Sequence, residues 1–335
     1  MQTLLITGGA GFIGSNFISY LLKSEKNIKV VNLDLLTYAG SPKNLEDLEN
    51  DPNYIFYKGD ICDRLLLEKL FKKYNFTGVI HFAAESHVDN SIQNPDAFVK
   101  TNVFGTFTVL DVAKNFWMSA PNSYKKRFKN ARFHHISTDE VYGSLSDKGL
   151  FSEKTPYAPN SPYSASKASS DFMVRSYYHT YGLNVVTTNC SNNYGPRQHE
   201  EKLIPTIIRK ALSGKKIPIY GDGKNIRDWL YVLDHCKGIQ LVFKEGQAGE
   251  TYNIGGQNEY NNLYIVNKVC EILDTLQPRE CSFKEQIQFV SDRPGHDFRY
   301  AIDATKIERE LGWKASENFE SGILKTIHWY LKKYN

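Results

Sequence analysis

The chain is poor in the features that would tie it to metal, membrane or nucleic acid. Its five cysteines (Cys62, Cys190, Cys236, Cys270, Cys281) are widely separated with no C-x-x-C pair, and none of its nine histidines falls in an H-E-x-x-H or similar ligand spacing. A disulfide framework or a zinc site is therefore not expected, and no metal is assigned. No apolar run approaches the roughly 18 residues that suggest a membrane span. The opening MQTLLITGG lacks the basic and long apolar segments of a secretory leader. Excess charge of either sign is also missing: 41 basic against 37 acidic residues leave +4, scattered along the chain, which provides no footprint for nucleic acid. The one basic run, KKRFK at 125–129, reads as a solvated loop or helix end. Internal repeats, low-complexity tracts and Pro/Ser-rich linkers are absent too. What remains is a reduced, cytoplasmic protein with a small-molecule partner and neither membrane nor nucleic acid.

What is present is a rhythm. Short apolar runs at 3–7 (TLLIT), 30–34 (VVNLD), 54–60 (YIFYKGD), 78–84 (GVIHFAA), 132–138 (RFHHIST) and 184–190 (NVVTTNC) read as buried strands. Helical stretches fit near 12–24, 63–74, 95–118 and 162–181, with Pro95 and Pro162 in the first turns of the last two. Strand–helix alternation implies right-handed crossovers and a parallel sheet covered on both faces, a doubly wound α/β fold. Beyond Cys190 the pattern gives way to Gly-, Pro- and Asn-rich segments suited to a binding surface. The expectation is a dinucleotide-binding Rossmann domain at 1–190, with 228–256 returning to it, and a smaller C-terminal substrate-binding domain from 191–227 and 257–335.

The segment Thr7–Gly14, TGGAGFIG, follows the first strand and opens a helix. Gly8, Gly11 and Gly14 permit a tight turn, close approach of backbone to a pyrophosphate and close packing of helix on strand, while the helix N-terminus offers unpaired N–H groups. Asp34 ends the second strand, 20 residues beyond Gly14. Its carboxylate can accept from ribose hydroxyls and would repel a 2′-phosphate, which favours NAD over NADP. Small residues at 59–61 (GDI) and 83–86 (AAES) end the third and fourth strands, at the edge where such sheets bind ligands.

Two further motifs carry chemistry. YSASK, Tyr163 to Lys167, sets a phenol and an ammonium at i and i+4 on one helix face. A neighbouring cation lowers a phenol pKa from its usual value of about 10, so Tyr163 is a candidate base toward a sugar hydroxyl. STDEVYG, at 137–143, places Thr138, Asp139 and Glu140 together at the end of an apolar strand. Two adjacent carboxyls there can divide acid and base work only if their proton affinities differ. A solvated strand end or helix cap is the competing reading.

Together TGGAGFIGSNF, STDEVYG, YSASK, SNNYGPRQHEEKLIP, GDGKNIRDWLYV and DRPGHDFRYAID resemble the extended short-chain dehydrogenase/reductases. Within these, the consecutive Thr-Asp-Glu is similar to the nucleotide-sugar 4,6-dehydratases that act on dTDP-glucose, and the likeness runs through essentially the whole chain. The resemblance implies a lyase of deoxysugar biosynthesis with bound NAD, working as a homodimer through the helices near 95–118 and 162–181. It implies catalysis by Thr138, Asp139, Glu140, Tyr163 and Lys167, with Asp139 as protonated acid and Glu140 as the base at C5.

By the same resemblance the cofactor contacts are Gly8, Gly11, Phe12, Ile13, Gly14, Asp34, Leu35, Leu36, Thr37, Asp60, Ile61, Phe82, Ala83, Ala84, Ser86, Thr101 and Asn193, with Tyr163 and Lys167. Leu35 stands where many relatives have lysine. The sugar nucleotide falls to Ser86, Thr138, Asn192, Lys202, Leu203, Pro218, Ile219, Tyr220, Arg227, Asn262, Asp292, Arg293 and His296. Arg227 and Arg293 suit a pyrophosphate and Tyr220 suits a base. His134 and His135 read as strand packing, and His87 and Asp89 have no assigned role. An epimerase or decarboxylase, a dehydratase for another nucleotide, and a non-catalytic NAD-binding scaffold remain as alternatives.

Overall fold

The computed structural model describes residues 1–292 and 296–334. Seven strands form one parallel sheet: Gln2–Thr7, Ile28–Asp34, Tyr54–Lys58, Gly78–His81, Arg132–Thr138, Val185–Cys190 and Thr251–Ile254. Numbered along the chain, their spatial order is 7-6-5-4-1-2-3. The order reverses between the first and fourth strands, and the crevice above that reversal is where doubly wound sheets bind ligands. Leu4, Leu5 and Ile6 are fully buried, as continuous apolar strands require when helices cover both faces.

The third and fourth strands stop short of the expected 60 and 84, at Lys58 and His81. Gly59–Ile61 and Phe82–Ala84 leave the ladder and line the cleft instead. The helices Phe12–Ser24 and Pro162–Tyr181 match expectation, and Arg64–Tyr74 begins one residue later than expected, capped by Asp63. Both prolines stand at first-turn positions, Pro95 opening Pro95–Phe98 and Pro162 opening the long helix. Between Pro95–Phe98 and Thr106–Trp117 the chain widens into a π segment, Val99–Gly105. Such a bulge re-aims side chains: Asn102 Oδ1 accepts from the Glu85 N–H (2.8 Å), and its Nδ2 donates to Glu85 O (3.0 Å) and Ser166 Oγ (2.8 Å). One amide thus ties the end of the fourth strand to the long helix.

The stretch 228–256 divides. Thr251–Ile254 pairs with Val185–Cys190 in the main sheet and Val232–Glu245 packs beneath it, whereas Ile226–Tyr231 stands between Asn192–Tyr194 and Glu259–Asn261 in a separate three-stranded sheet. Ile217–Tyr220 and Ile287–Val290 form a parallel pair. Helices Leu203–Leu212, Asn262–Leu276 and Phe319–Tyr334 enclose a second core that includes Ile208, Val266, Phe319 and Ile327. Ile307 on helix Thr305–Leu311, with Trp313, joins Val242, Tyr252 and Ile254 beside the main sheet. Among the described residues no helix is long and apolar enough to cross a membrane.

Candidate active site

A cleft of about 320 Å³ opens above the carboxyl ends of the main strands, across the reversal point. Its floor begins with the glycine turn. Gly8 has φ +71°, and a Cβ on Gly14 would lie 2.4 Å from Gly8 O, so helix and turn touch backbone to backbone. A Cβ on Gly11 would meet only Gly8 O, at 3.4 Å. The helix that starts at Phe12 has no side-chain cap and no acid in its first turn, which leaves its positive end facing the cleft. Asp34 closes the far side: its carboxylate accepts from the N–H groups of Ala10 (2.9 Å) and Leu36 (2.8 Å), and burial nevertheless raises its pKa. An uncapped helix end, a glycine face that a side chain would fill, and a fixed carboxylate are the donor set that NAD requires, and these residues fit it.

Most of the expected cofactor contacts line this one cleft: Gly8, Gly11, Phe12, Ile13, Gly14, Asp34, Leu35 and Thr37 from the first half, then Asp60, Ile61, Phe82, Ala83, Ala84, Ser86, Thr101 and Asn193. Leu36 does not. It adopts φ +57° behind Asp34 and offers that carboxylate its N–H. The amide of Asn193 is engaged by His235 Nδ1 (2.9 Å) and Ser191 O (3.0 Å).

Thr138, Asp139, Glu140, Tyr163 and Lys167 also line the cleft, on its inner wall. The fifth strand delivers the first three. Thr138 is its last residue and the N-cap of a short turn, Asp139–Tyr142, where the Glu140 N–H donates to Thr138 Oγ1 (3.3 Å) and Thr138 Oγ1 donates to Asp139 Oδ1 (3.4 Å). Asp139 is 2% exposed and its Oδ2 has no partner among the described residues. Burial first, then the charges of Glu140 and Asp228, push its pKa well above the usual carboxylate range, which favours the protonated carboxyl. Glu140 is only partly buried. The two neighbouring carboxyls therefore sit in different environments, as acid–base division requires.

The tyrosine–lysine pair departs from expectation. Lys167 Nζ donates to Ile136 O (2.8 Å), and burial lowers its pKa. The Tyr163 phenol is pushed up, by burial first and then by the charge of Glu140, rather than drawn down by Lys167. Helical adjacency brings the two residues to one face, but desolvation outweighs a single neighbouring charge.

Of the residues expected to hold the sugar nucleotide, Ser86, Thr138, Asn192 and Lys202 line the cleft. The others are more distant. Leu203 and Asn262 open helices, and Pro218, Ile219 and Tyr220 lie on the strand paired with Ile287–Val290. Ile219 is buried beneath that pair while Tyr220 is exposed, its ring 6.4 Å from that of His296, whose Nδ1 lies 2.6 Å from Asp292 Oδ1. Arg227 is buried and donates to the carbonyls of Ile226 (2.7 Å), Asp297 (2.9 Å) and Phe298 (3.2 Å), with its guanidinium 4.3 Å above the Tyr300 ring. Its charge lowers the proton affinity of Asp139. Arg293 lies outside the described residues.

Sequence reasoning missed part of the wall. Glu85, Cys190, Gln198, His199 and Glu201 also line the cleft. Tyr38 meets His199 edge-on at 5.6 Å, and Glu201 lies 3.6 Å from His199 Nδ1 and 3.8 Å from His87 Nε2, which sets His87 beside a cleft-lining carboxylate. No spacing signals these contacts, because they join three loops far apart in the chain. Cys190 is the exception, since strand pairing sets it directly beside Thr138.

Comparison with known proteins agrees with this chemistry. The family described as GDP-mannose 4,6 dehydratase matches residues 5–326. A dTDP-glucose 4,6-dehydratase of Xanthomonas campestris pv. campestris (strain B100) is 54% identical over 333 residues, covering 99% of this chain and 93% of the relative. A dTDP-glucose 4,6-dehydratase from Streptomyces venezuelae, solved with NAD bound, superposes with TM-score 0.89 at 45% identity, covering 99% of this chain and 97% of that one. A UDP-glucose 4-epimerase from Thermotoga maritima superposes with TM-score 0.87 over 100% of both chains, but at 27% identity. Backbone shape alone does not separate the two chemistries, which depend on the side chains grafted onto it. On both counts, matched family and full-length identity, the chain belongs to the nucleotide-sugar 4,6-dehydratases of the extended short-chain dehydrogenase/reductases, and within them to the dTDP-glucose 4,6-dehydratase family.

Proposed function

We propose that this chain converts dTDP-glucose to dTDP-4-keto-6-deoxyglucose by NAD-dependent 4,6-dehydration. Bound NAD supplies a hydride acceptor for C4, the donor of the same hydride for C6, and a positive charge in the cleft. Burial alone favours the neutral phenol of Tyr163, so its work as a base depends on the positive charges of bound NAD and of Lys167, one helical turn away, favouring the phenolate. In that form it accepts the proton of the 4-hydroxyl, with Thr138 hydrogen-bonding that oxygen. The ketone formed at C4 makes the C5–H acidic. Glu140 removes that proton, and Asp139, which arrives protonated, delivers its own to the C6 hydroxyl as water departs. Glu140 then returns a proton to C5; the proton gained by Tyr163 equals the one given up by Asp139, and exchange with solvent, off the phenol and onto the carboxylate, restores all three groups for the next cycle.

The observation that carries this reading is the contrast between the buried Asp139, where burial favours the protonated carboxyl, and the more open Glu140 on one turn of the cleft wall. A scaffold that merely binds NAD has no use for it. We infer that residues 1–190, joined by Val232–Glu245 and Thr251–Ile254, hold NAD, and that the rest of 191–335, including Ile226–Tyr231, holds mainly the nucleotide sugar. The exposed Val99, Phe104 and Phe172 on the helical segments expected to pair support a homodimer. The five free thiols support a cytoplasmic location.

The test is incubation of the purified, NAD-loaded protein with dTDP-, UDP-, GDP- and CDP-hexoses, followed by mass spectrometry. Loss of water from dTDP-glucose, at least about tenfold faster than from the others, is expected, since a base pocket discriminates by a kcal/mol or more. Preference for a GDP- or CDP-sugar overturns the substrate, and an epimerised product of unchanged mass overturns the reaction.

A further inference from the structure

Behind the tyrosine–lysine pair lies a buried carboxylate that the mechanism above leaves unused. Asp171 follows Lys167 by one helical turn and is 5% exposed. Three side chains from outside its helix point donors at it. Ser137 Oγ donates to its Oδ2 (2.9 Å), the Tyr157 hydroxyl donates to the same oxygen (3.0 Å), and His135 Nε2 stands 3.0 Å from Oδ1. His135 Nδ1 is buried with no partner among the described residues, and burial holds the ring neutral, which fixes the proton on Nε2. All three donors are therefore neutral.

The charge of such a group needs a counter-ion, because an isolated buried carboxylate is costly. The groups facing it are Lys167 on its own helix, His135 on the fifth strand with the neutral His81 ring stacked 5.6 Å behind, and Tyr157 and Tyr142 from the segment before the helix. Lys167 is the only cation in that set. Burial of Lys167 works against its charge, and Asp171 works for it. The same carboxylate holds Ser137, the residue immediately before Thr138, Asp139 and Glu140.

We propose that Asp171 is a positioning residue for the dehydratase reaction: a buried carboxylate, braced by Ser137, Tyr157 and His135, whose negative charge keeps the Lys167 ammonium charged one helical turn from Tyr163. This rests on the function proposed above. Asp171 does not line the cleft, so its removal should act on the proton inventory of the pair and leave substrate affinity alone.

The experiment uses the NAD-loaded enzyme and Asp171→Asn, which keeps the shape and deletes the charge. The alkaline limb of kcat for dTDP-glucose should move down by about one pH unit, as expected for loss of one nearby opposite charge. KM should stay within about twofold, while kcat at alkaline pH falls about tenfold, the rate equivalent of that shift. NMR titration of lysine labelled at its ε-carbon reads Lys167 directly and should show the same downward move. Asp171→Glu should restore the alkaline limb. An unshifted limb and unshifted Lys167 titration, or a raised KM at constant kcat, overturns the proposal.

Tyr157→Phe provides a second route if the asparagine variant does not fold. Asp171 titrates at about 6, and the Tyr157 hydroxyl is one of the bonds that lowers that value. Its loss should raise the acid limb of kcat, and an unmoved limb counts against the proposal. A wild-type protein that dehydrates no sugar nucleotide, yet shows the Lys167 shift on Asp171→Asn, refutes the assigned reaction and leaves the charge pairing standing.

Discussion

Two glycines of the same turn should fail in different ways. At Gly14 an added Cβ would lie 2.4 Å from Gly8 O, 2.8 Å from Gly9 Cα and 3.1 Å from Gly8 C. All three are backbone atoms, so nothing can rotate aside, and the helix must retreat by roughly 1 Å to reach ordinary contact. Forcing a methyl into such a space costs about 3 kcal/mol, the upper end of the usual range. Alanine in a helix recovers about 1 kcal/mol relative to glycine, so Gly14→Ala should destabilise by about 2 kcal/mol. At about 2 to 4 °C per kcal/mol, Tm should fall by about 4 to 8 °C. At Gly11 the added Cβ meets only Gly8 O, at 3.4 Å, and otherwise enters the cleft. Gly11→Ala should therefore change stability by less than about 1 kcal/mol, yet weaken NAD at least about tenfold by occupying the place of closest approach to the pyrophosphate. Thermal melts of the NAD-stripped proteins, with NAD titrations by calorimetry, separate the two, because bound NAD itself raises Tm. Equal losses of Tm in both variants, or undiminished NAD affinity in Gly11→Ala, would refute the steric argument.

Three further outcomes follow from the site. Glu140→Gln should lower C5 proton exchange by about a hundredfold or more, the usual weight of a general base, while reduced-cofactor absorbance still appears on mixing with dTDP-glucose. Asp139→Asn should likewise form the ketone but not release water. Because the Asp139 pKa is raised on folding, its ionisation in the unfolded chain above 3.8 costs wild-type stability that the asparagine does not lose. The advantage of the variant in urea melts should therefore grow as pH rises from 4 and vanish below it. Finally, His81, His134, His135 and His235 are buried neutral with depressed pKa values, His235 at about 3. Their stability is present above the unfolded value of 6.5 and lost as pH falls. At pH 5 His235 alone should cost about 2 kcal/mol, and the other three act in the same direction, read as a falling urea midpoint between pH 7 and 5.

The legible parts of the chain were those in which local pattern and tertiary role coincide. The glycine turn, Asp34 and the strand-end carboxyls occupy consecutive or regularly spaced positions, and the helix Pro162–Tyr181 carries its own start signal in Ser161 and Pro162. The π segment was not legible, since its residues read as an ordinary helix and only packing against Glu85 and Ser166 favours the widened turn. Nor was the fate of Tyr163. Helical spacing places Lys167 beside it, but the sign of its pKa shift follows from how deeply the phenol is buried, a quantity that depends on elements far away in sequence. The outlying positions Tyr220, Asp292 and His296 came from likeness alone, and they gather around the paired strands Ile217–Tyr220 and Ile287–Val290.

The amino-acid order by itself determined the alternation of strands and helices, the dinucleotide turn, and which side chains bear the chemistry, because these depend on periodicities and spacings within a few residues. Only the tertiary structure decided how deeply each of the two adjacent carboxyls is buried, which remote donors gather around Asp171, and which distant loops close the cleft. Those outcomes are set by desolvation and by through-space charge, and both exist only after remote segments have been packed together.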